Sequence, residues 1–476
     1  MIDSFKKTKI VATIGPASSG RDVLKEMILG GCDVVRLNFS HGAYEDHKAV
    51  IDAVRSIDKE IGTNTALLAD LQGPKLRVGE MEGGSVNIEA GQKITISTTK
   101  QIGTAKIIYT NYKEFAKDVK PGEVVLLDDG KLSMKVLTTN GKDTVECEIL
   151  QGGPLSSKKG LNLPSTKVSL PSLSEKDLSD LAFALENDID WIGLSFVRNA
   201  NDVIQLKEII AKSEKHAKVV AKIEKPEAVD QIDEIIRETD AVMVARGDLG
   251  VEIPLQNVPL IQKMIVKKCL RASRPVIVAT QMMESMVTNF TPTRAEVTDV
   301  ANAVLDGADA VMLSGETSVG KYPVEAIKMM DRIIGEAEKF DGLYYHEEIP
   351  TEVDETRFMT DSICYSACRL AARVKASALV TMSFSGYTGY RIAAWRPNAN
   401  VYVFTANKKI LTQMNLAWGV KAFYYDKMVS TDQTIADIRY FLKKNNFIQE
   451  GQYIINLASM PISEQGMSNM VKVTKV

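Results

Sequence analysis

Residues 191–248 read WIGLSFVRNANDVIQLKEIIAKSEKHAKVVAKIEKPEAVDQIDEIIRETDAVMVARGD. Three short apolar runs, 191–197, 219–224 and 241–248, alternate with two stretches in which apolar residues recur every three or four positions. Runs that are apolar almost throughout suit strands buried on both faces of a parallel sheet. The stretches between them carry the period of amphipathic helices. Working outward, the same unit recurs upstream at 9–15, 33–39 and 66–71, and downstream at 275–280 and 310–314. Eight such units predict an α/β fold built on a (β/α)8 barrel, the TIM barrel; a doubly wound open sheet is the other arrangement the rhythm permits.

The rhythm breaks once and then changes. Residues 75–170 lack a helical period and read as short alternating strands, with hairpin signals at Asp129-Gly130 and Asn140-Gly141. They predict a small all-β domain, a β-barrel lid, inserted at the rim of a barrel built from 1–74 and 171–346. From 347 to 476 a helical pattern (355–374) precedes the strand-like ALVTMSF, NVYVFT, KAFYY and YIINLAS. A last strand follows in SNMVKVTKV. That portion predicts a C-terminal open-sheet α/β domain.

Composition sets the outer limits. The chain has 476 residues, 45% of them hydrophobic and 25% charged, with a net charge of −3. This is globular composition, and it offers no field for non-specific nucleic-acid binding. No apolar run approaches the roughly 20 residues of a membrane span. No apolar leader precedes the first strand-like run. Cys32, Cys147, Cys269, Cys364 and Cys368 are odd in number and scattered, which predicts reduced thiols in a cytoplasmic protein.

In a (β/α)8 barrel the chemistry sits where strands end. The strand ends here carry Arg36, Asn38, Ser40 and His41; Asp70; Ser195 and Arg198; Lys222 and Glu224; Arg246, Gly247 and Asp248; Thr280 and Gln281; Ser314 and Glu316. Lys222 and Glu224 flank Ile223, so a strand points both side chains into the barrel, where charge needs partners. Glu224 with Asp248 suits a Mg²⁺ or Mn²⁺ site shared with substrate and water. A structural ion pair of Lys222 with Asp248 or Glu224 is the plainer alternative. Gly247 marks either an anion-binding turn or a simple Gly-Asp turn. Arg36 has the fork that grips a phosphate or carboxylate. Asn38 and Ser40 can ligate a cation or make a turn and cap the next helix. His41 can touch a nucleotide or sit in solvent.

Taken together, TKIVATIGPAS, VVRLNFSHG, DLQGPKLR, GLSFVR, AKIEKPEA, VMVARGDLGVE, ATQMMESM and the run from TPTRAEVTDV through SGETSVGKYPVEA resemble the pyruvate kinase family, in that family's order. The resemblance implies phosphoryl transfer from phosphoenolpyruvate to ADP, giving pyruvate and ATP. By motif, it implies that Lys222 stabilises the phosphoryl group in flight and that Arg36 holds the phosphate. Glu224 and Asp248 would ligate the divalent metal, and the Gly247 and Asp248 amides would hold the substrate carboxylate. Thr280 and Ser314 would serve the proton, and Asn38, His41 and Arg77 would face the nucleotide. It also implies a homotetramer.

Three departures from the family pattern stand out. Where many members read D-T-K-G-P-E, this chain has Asp70-Leu71-Gln72-Gly73-Pro74-Lys75. The family holds K⁺ with the equivalents of Asn38, Ser40, Asp70 and the carbonyl of Leu71. An ammonium at Lys75 can replace that charge, so the expectation is activity without K⁺. Asn199 stands where relatives often carry a basic residue facing the nucleotide. In the stretch 383–388, Ser383, Ser385, Gly386 and Thr388 match a sugar-phosphate effector loop. Phe384 and Tyr387 fill places that are often basic there, so strong fructose 1,6-bisphosphate activation is not expected. A different phosphoenolpyruvate-using barrel and a catalytically dead relative are the competing readings. Neither explains the full motif set.

Overall fold

The computed structural model describes residues 6–344, 357–427, 430–460 and 467–476. Eight parallel strands close into a barrel: Lys9–Ile14, Val34–Asn38, Ala66–Asp70, Trp191–Leu194, Lys218–Ile223, Ala241–Ala245, Val276–Ala279 and Ala310–Leu313, called strands one to eight below. The open-sheet alternative is excluded because strand one pairs with both strand two and strand eight.

Side-chain parity fixes what the barrel encloses. Val11, Val34, Leu68, Trp191, Val220, Met243, Ile277 and Met312 pack together in the interior, while their sequence neighbours pack outward against the helices. Successive side chains in a strand alternate sides. Thr13, Arg36, Asp70, Ser195, Lys222 and Glu224 therefore share the interior parity at the carboxyl ends of their strands. The register agrees, setting Asn38 beside Asp70 and Asp70 beside Gly193. Gly193 is needed there, since a Cβ at that position would come to 3.0 Å from Asp70 Oδ1.

The insert has its own core, from Val78 through Leu163, with Leu76, Val168 and Leu170 packed on it. Its six-stranded sheet runs Leu161–Asn162, Val124–Leu127, Leu132–Thr139, Thr144–Gln151, Lys93–Ser97 and Ile107–Tyr109 in spatial order, beside a two-stranded ribbon of Ser85–Ile88 and Gly153–Ser156. The ladder is open at its two edges, a partial barrel. One short helix, Phe115–Asp118, interrupts the β pattern. Both hairpin signals lie where the chain turns, between Leu127 and Leu132 and between Thr139 and Thr144.

The C-terminal domain is a five-stranded sheet in the order Val420–Tyr424, Asn400–Thr405, Ala378–Met382, Tyr453–Ala458 and Met470–Lys475, with only the last strand antiparallel. The expected helix 355–374 is observed as Phe358–Val374, its first residues lying outside the described ones. The boundary expected at 346/347 also lies outside them. No helix among the described residues is long and apolar enough to cross a membrane.

Candidate active site

Arg36, Asp70, Lys222 and Glu224 meet at the mouth of the barrel. Arg36 donates from Nε to Asp70 Oδ2 at 2.8 Å, with a second, shorter contact from its terminal nitrogen, and from the other terminal nitrogen to Thr13 Oγ1 at 2.8 Å. Lys222 Nζ lies 3.1 Å from Asp70 Oδ1 and 2.9 Å from Glu224 Oε1, and it donates to Ser195 Oγ at 2.7 Å. The plainer ion-pair alternative for Lys222 is thus realised with Glu224 and with Asp70, and no ion pair joins it to Asp248.

These groups are buried, and their protonation follows from burial set against neighbours. Burial opposes charge on Lys222, yet Asp70 and Glu224 outweigh it and hold the ammonium well above the usual lysine range. Burial likewise opposes the Asp70 carboxylate, but Arg36 and Lys222 hold it below its usual value. Glu224 is pushed up to about 7, first by burial, against the pull of Lys222, and further by the charge of Asp248. Among the described residues no cluster of three ligating side chains exists. A carboxylate that burial and the charge of a second carboxylate keep raised despite one lysine is what a hard divalent ion shared with substrate oxygens and water would relieve, so Glu224 and Asp248 fit that group.

Gly247 and Asp248 require a correction. In place of either kind of turn, residues Arg246–Glu252 form a helix that starts as strand six ends. The Gly247 amide donates to Thr280 Oγ1 at 2.7 Å, and that hydroxyl also donates to the Ala279 carbonyl at 2.6 Å. Thr280 adopts φ +70, in the left-handed region. Ser314 directs its amide to Glu316 Oε2 at 2.7 Å, and Glu316 Oε1 accepts from Met283 at 3.0 Å. This fully buried glutamate therefore joins the loops after strands seven and eight.

The remaining expected residues are spread around this centre. Asn38 Oδ1 accepts from the Ser40 amide at 3.1 Å, the turn alternative, and His41 is exposed. Arg77 lies in the insert and donates to the Lys158 carbonyl at 3.0 Å. Leu71 offers its carbonyl to Ser195 Oγ at 2.7 Å. Lys75 lines a solvent-open cleft between insert and barrel, together with Asn162, Arg198, Lys225 and Asp248. Asn199 caps the helix Ala200–Lys212, accepting from the Asp202 amide. Ser383, Ser385, Gly386 and Thr388 sit apart, in the C-terminal domain. There Gly386, at φ +80, precedes the helix Tyr387–Ala394. Of two further partners of the central network, Ser195 stands among the strand ends without an assigned role and Thr13 is absent from them, although interior parity alone selects both.

The comparisons agree with this geometry. The family model for the pyruvate kinase barrel domain matches residues 5–327, and that for the pyruvate kinase alpha/beta domain matches residues 361–474. A pyruvate kinase of Corynebacterium efficiens is 43% identical over 468 residues, covering 98% of this chain and 97% of the relative. One from Mycobacterium tuberculosis is 41% identical over 471 residues, covering 99% and 98%. The crystal structure of a pyruvate kinase from Cryptosporidium parvum superposes with a TM-score of 0.93 at 35% identity, covering 99% of this chain and 96% of that one. A closed barrel with an inserted β domain, a buried lysine between two carboxylates and near-complete alignment all lead to one assignment: the chain belongs to the pyruvate kinase family and is a phosphotransferase.

Proposed function

We propose that this chain transfers the phosphoryl group of phosphoenolpyruvate to ADP, giving pyruvate and ATP, the last step of glycolysis. The observation that carries the reading is the buried Arg36–Asp70–Lys222–Glu224 network at the mouth of the barrel. Phosphoryl transfer is mostly positioning and charge neutralisation, and two fixed cations at the mouth supply both. Arg36 grips the phosphate. Lys222, kept charged by its carboxylates, stabilises the group as it passes. The Asp248 amide, at a helix start, holds the substrate carboxylate, joined by the Gly247 amide once the substrate displaces Thr280 Oγ1 from it. Thr280 Oγ1 stands beside them and orients, through water and Ser314, the proton donor that serves the enolate carbon. Asn38, His41 and Arg77 face the nucleotide. Glu224 and Asp248 would hold Mg²⁺ or Mn²⁺, which would supply positive charge beside the reacting phosphoryl group.

Monovalent cation use follows from what already occupies the expected K⁺ ligands. Asp70 is paired with Arg36 and Lys222, the Leu71 carbonyl with Ser195, and Asn38 Oδ1 with Ser40. Lys75 has no ion pair among the described residues. Both facts support a K⁺-independent enzyme. In the C-terminal domain, Ser383 Oγ accepts from Gly386 and Thr388 Oγ1 bonds Ser468 Oγ, which supports a structural turn and no strong fructose 1,6-bisphosphate activation. Five free, buried thiols support a cytoplasmic setting.

Pyruvate formation, measured with and without ADP in tetramethylammonium buffer and again after adding KCl, tests the reading. Product is expected only with ADP and divalent metal. Activation of about a hundredfold by KCl, or some 2.7 kcal/mol of barrel-mouth charge, would refute the K⁺ proposal. Lys222→Met is expected to lower kcat by at least about a hundredfold while phosphoenolpyruvate still binds. A variant with more than a tenth of the wild-type rate would remove Lys222 from the mechanism.

A further inference from the structure

The two carboxylates assigned to the metal lie on different segments, Glu224 at the end of strand five and Asp248 in the first turn of the helix Arg246–Glu252. Each segment continues into a residue that binds the other segment. Lys225, next to Glu224, places Nζ 2.7 Å from Glu252 Oε1, at the far end of that helix. The same oxygen accepts from Asn162 Nδ2 at 2.7 Å, and Asn162 belongs to the insert. The Glu252 side chain is 1% exposed and that of Lys225 13%. Glu252 Oε2 is buried without a hydrogen-bond partner among the described residues.

A buried carboxylate that joins three segments does more than fill space, because removing any of its partners leaves charge or a polar atom unsatisfied. The helix is only seven residues long, so a shift at Glu252 is carried directly to Gly247 and Asp248. Asn162 and Lys225 both line the cleft that Asp248 also lines, which makes it the way by which ADP would reach the proposed metal.

We infer that Asn162, Glu252 and Lys225 form a latch that docks the insert on the barrel and sets the spacing of Glu224 and Asp248. Glu252 and Lys225 are positioning residues for the metal carboxylates. Asn162 is the catch on the lid. The inference rests on the proposed phosphoryl transfer for its kinetic readout, but not for its physical one.

The test uses the full-length enzyme and the variants Asn162→Ala, Lys225→Met and Glu252→Gln. Hydrogen exchange without substrate reads the latch directly: exchange in the strand Leu161–Asn162 is expected to rise in Asn162→Ala. In the pyruvate assay, Asn162→Ala is expected to raise KM for ADP roughly tenfold, the worth of one charge-assisted hydrogen bond. KM for phosphoenolpyruvate stays at its wild-type value. Lys225→Met and Glu252→Gln are expected to raise the Mn²⁺ concentration needed for half-maximal rate. Adding Asn162→Ala to Glu252→Gln is expected to have less effect than it has alone, because the charge on the shared acceptor is already gone. If Asn162→Ala leaves both exchange and the KM for ADP unchanged, the latch is overturned. If exchange rises but the wild-type enzyme forms no pyruvate from phosphoenolpyruvate and ADP, the latch stands and the proposed reaction falls.

Discussion

Thr280 is the residue that the barrel holds under the greatest local constraint. A β-branched side chain at φ +70 is a genuine outlier, and such strain persists only where neighbours over-determine it. Arg246 supplies that determination. It donates to the Thr280 carbonyl at 2.7 Å and to the Ala279 carbonyl at 3.3 Å while paired with Asp299 at 2.7 Å. Sequence alone showed Thr280 as a strand end and Arg246 as one more cation at the mouth. It could not show that the arginine is spent on backbone carbonyls, because that depends on where the next loop lies. The strain gives a prediction that inverts the usual order of helix and strand propensity. Both Thr280→Ala and Thr280→Gly lose the hydroxyl that meets Gly247, and both are expected to lose most activity. Only glycine relaxes the backbone, so Thr280→Gly is expected to be more stable than Thr280→Ala by about 1 kcal/mol. Urea titration of the two variants checks this, and an alanine variant as stable as the glycine one would mean that the φ value carries no strain.

At the scale of elements, the barrel strands were legible to within a few residues, since each is a buried apolar run with a polar end. The helix Arg246–Glu252 was not, because Gly-Asp after a strand favours a turn locally, and only the pairing of Gly247 with Thr280 settles the helical path. The helix Arg294–Leu305 shows the opposite case, with Thr293 and Glu296 in the T-x-x-E spacing of a capping box. Glu296 also accepts from the Ser285 amide at 2.7 Å, fastening this helix to the turn Glu284–Val287 that follows Thr280. Burial pushes the Glu296 carboxyl up, but its bonds from Ser285 and Thr293 outweigh that and hold it below the usual range. A carboxylate whose pKa is depressed by folding contributes stability above its unfolded value, and that contribution disappears as pH falls through the folded one. Glu296→Gln is therefore expected to melt at a lower temperature than wild type at neutral pH. The two curves should converge below about pH 4, near the unfolded glutamate value. A constant difference down to pH 3 would show that the charge on Glu296 contributes nothing to the fastening.

Across the whole molecule, the joins between domains are what the sequence hid. Asn162 and Glu252 are 90 residues apart, and Arg396 and Asp309 are 87 apart, so no local period signals either pair. Arg396 is fully buried and grips both Asp309 oxygens, at 3.2 and 3.0 Å, as well as the carbonyls of Gly307 and Ala393. Its guanidinium lies 4.8 Å from the Trp418 ring, and Trp418 packs into the barrel's own hydrophobic cluster. The C-terminal domain thus closes the end of the barrel opposite the site, where a TIM barrel keeps its stability and not its chemistry. Removing the arginine leaves Asp309 buried and uncompensated, a loss of about 3–5 kcal/mol. Arg396→Met is expected to lower the barrel and C-terminal transition in calorimetry by that order. KM values at 25 °C should be unchanged, because no residue of the mouth contacts the join. Adding Asp309→Asn removes the stranded charge and is expected to recover part of the loss. Recovery stays incomplete, because Asp309 also accepts from the Val276 and Trp418 amides, and an asparagine replaces only one of its two acceptor oxygens. If the double variant were no more stable than Arg396→Met, lost packing against Trp418, and not the unpaired carboxylate, would be what joins the two domains.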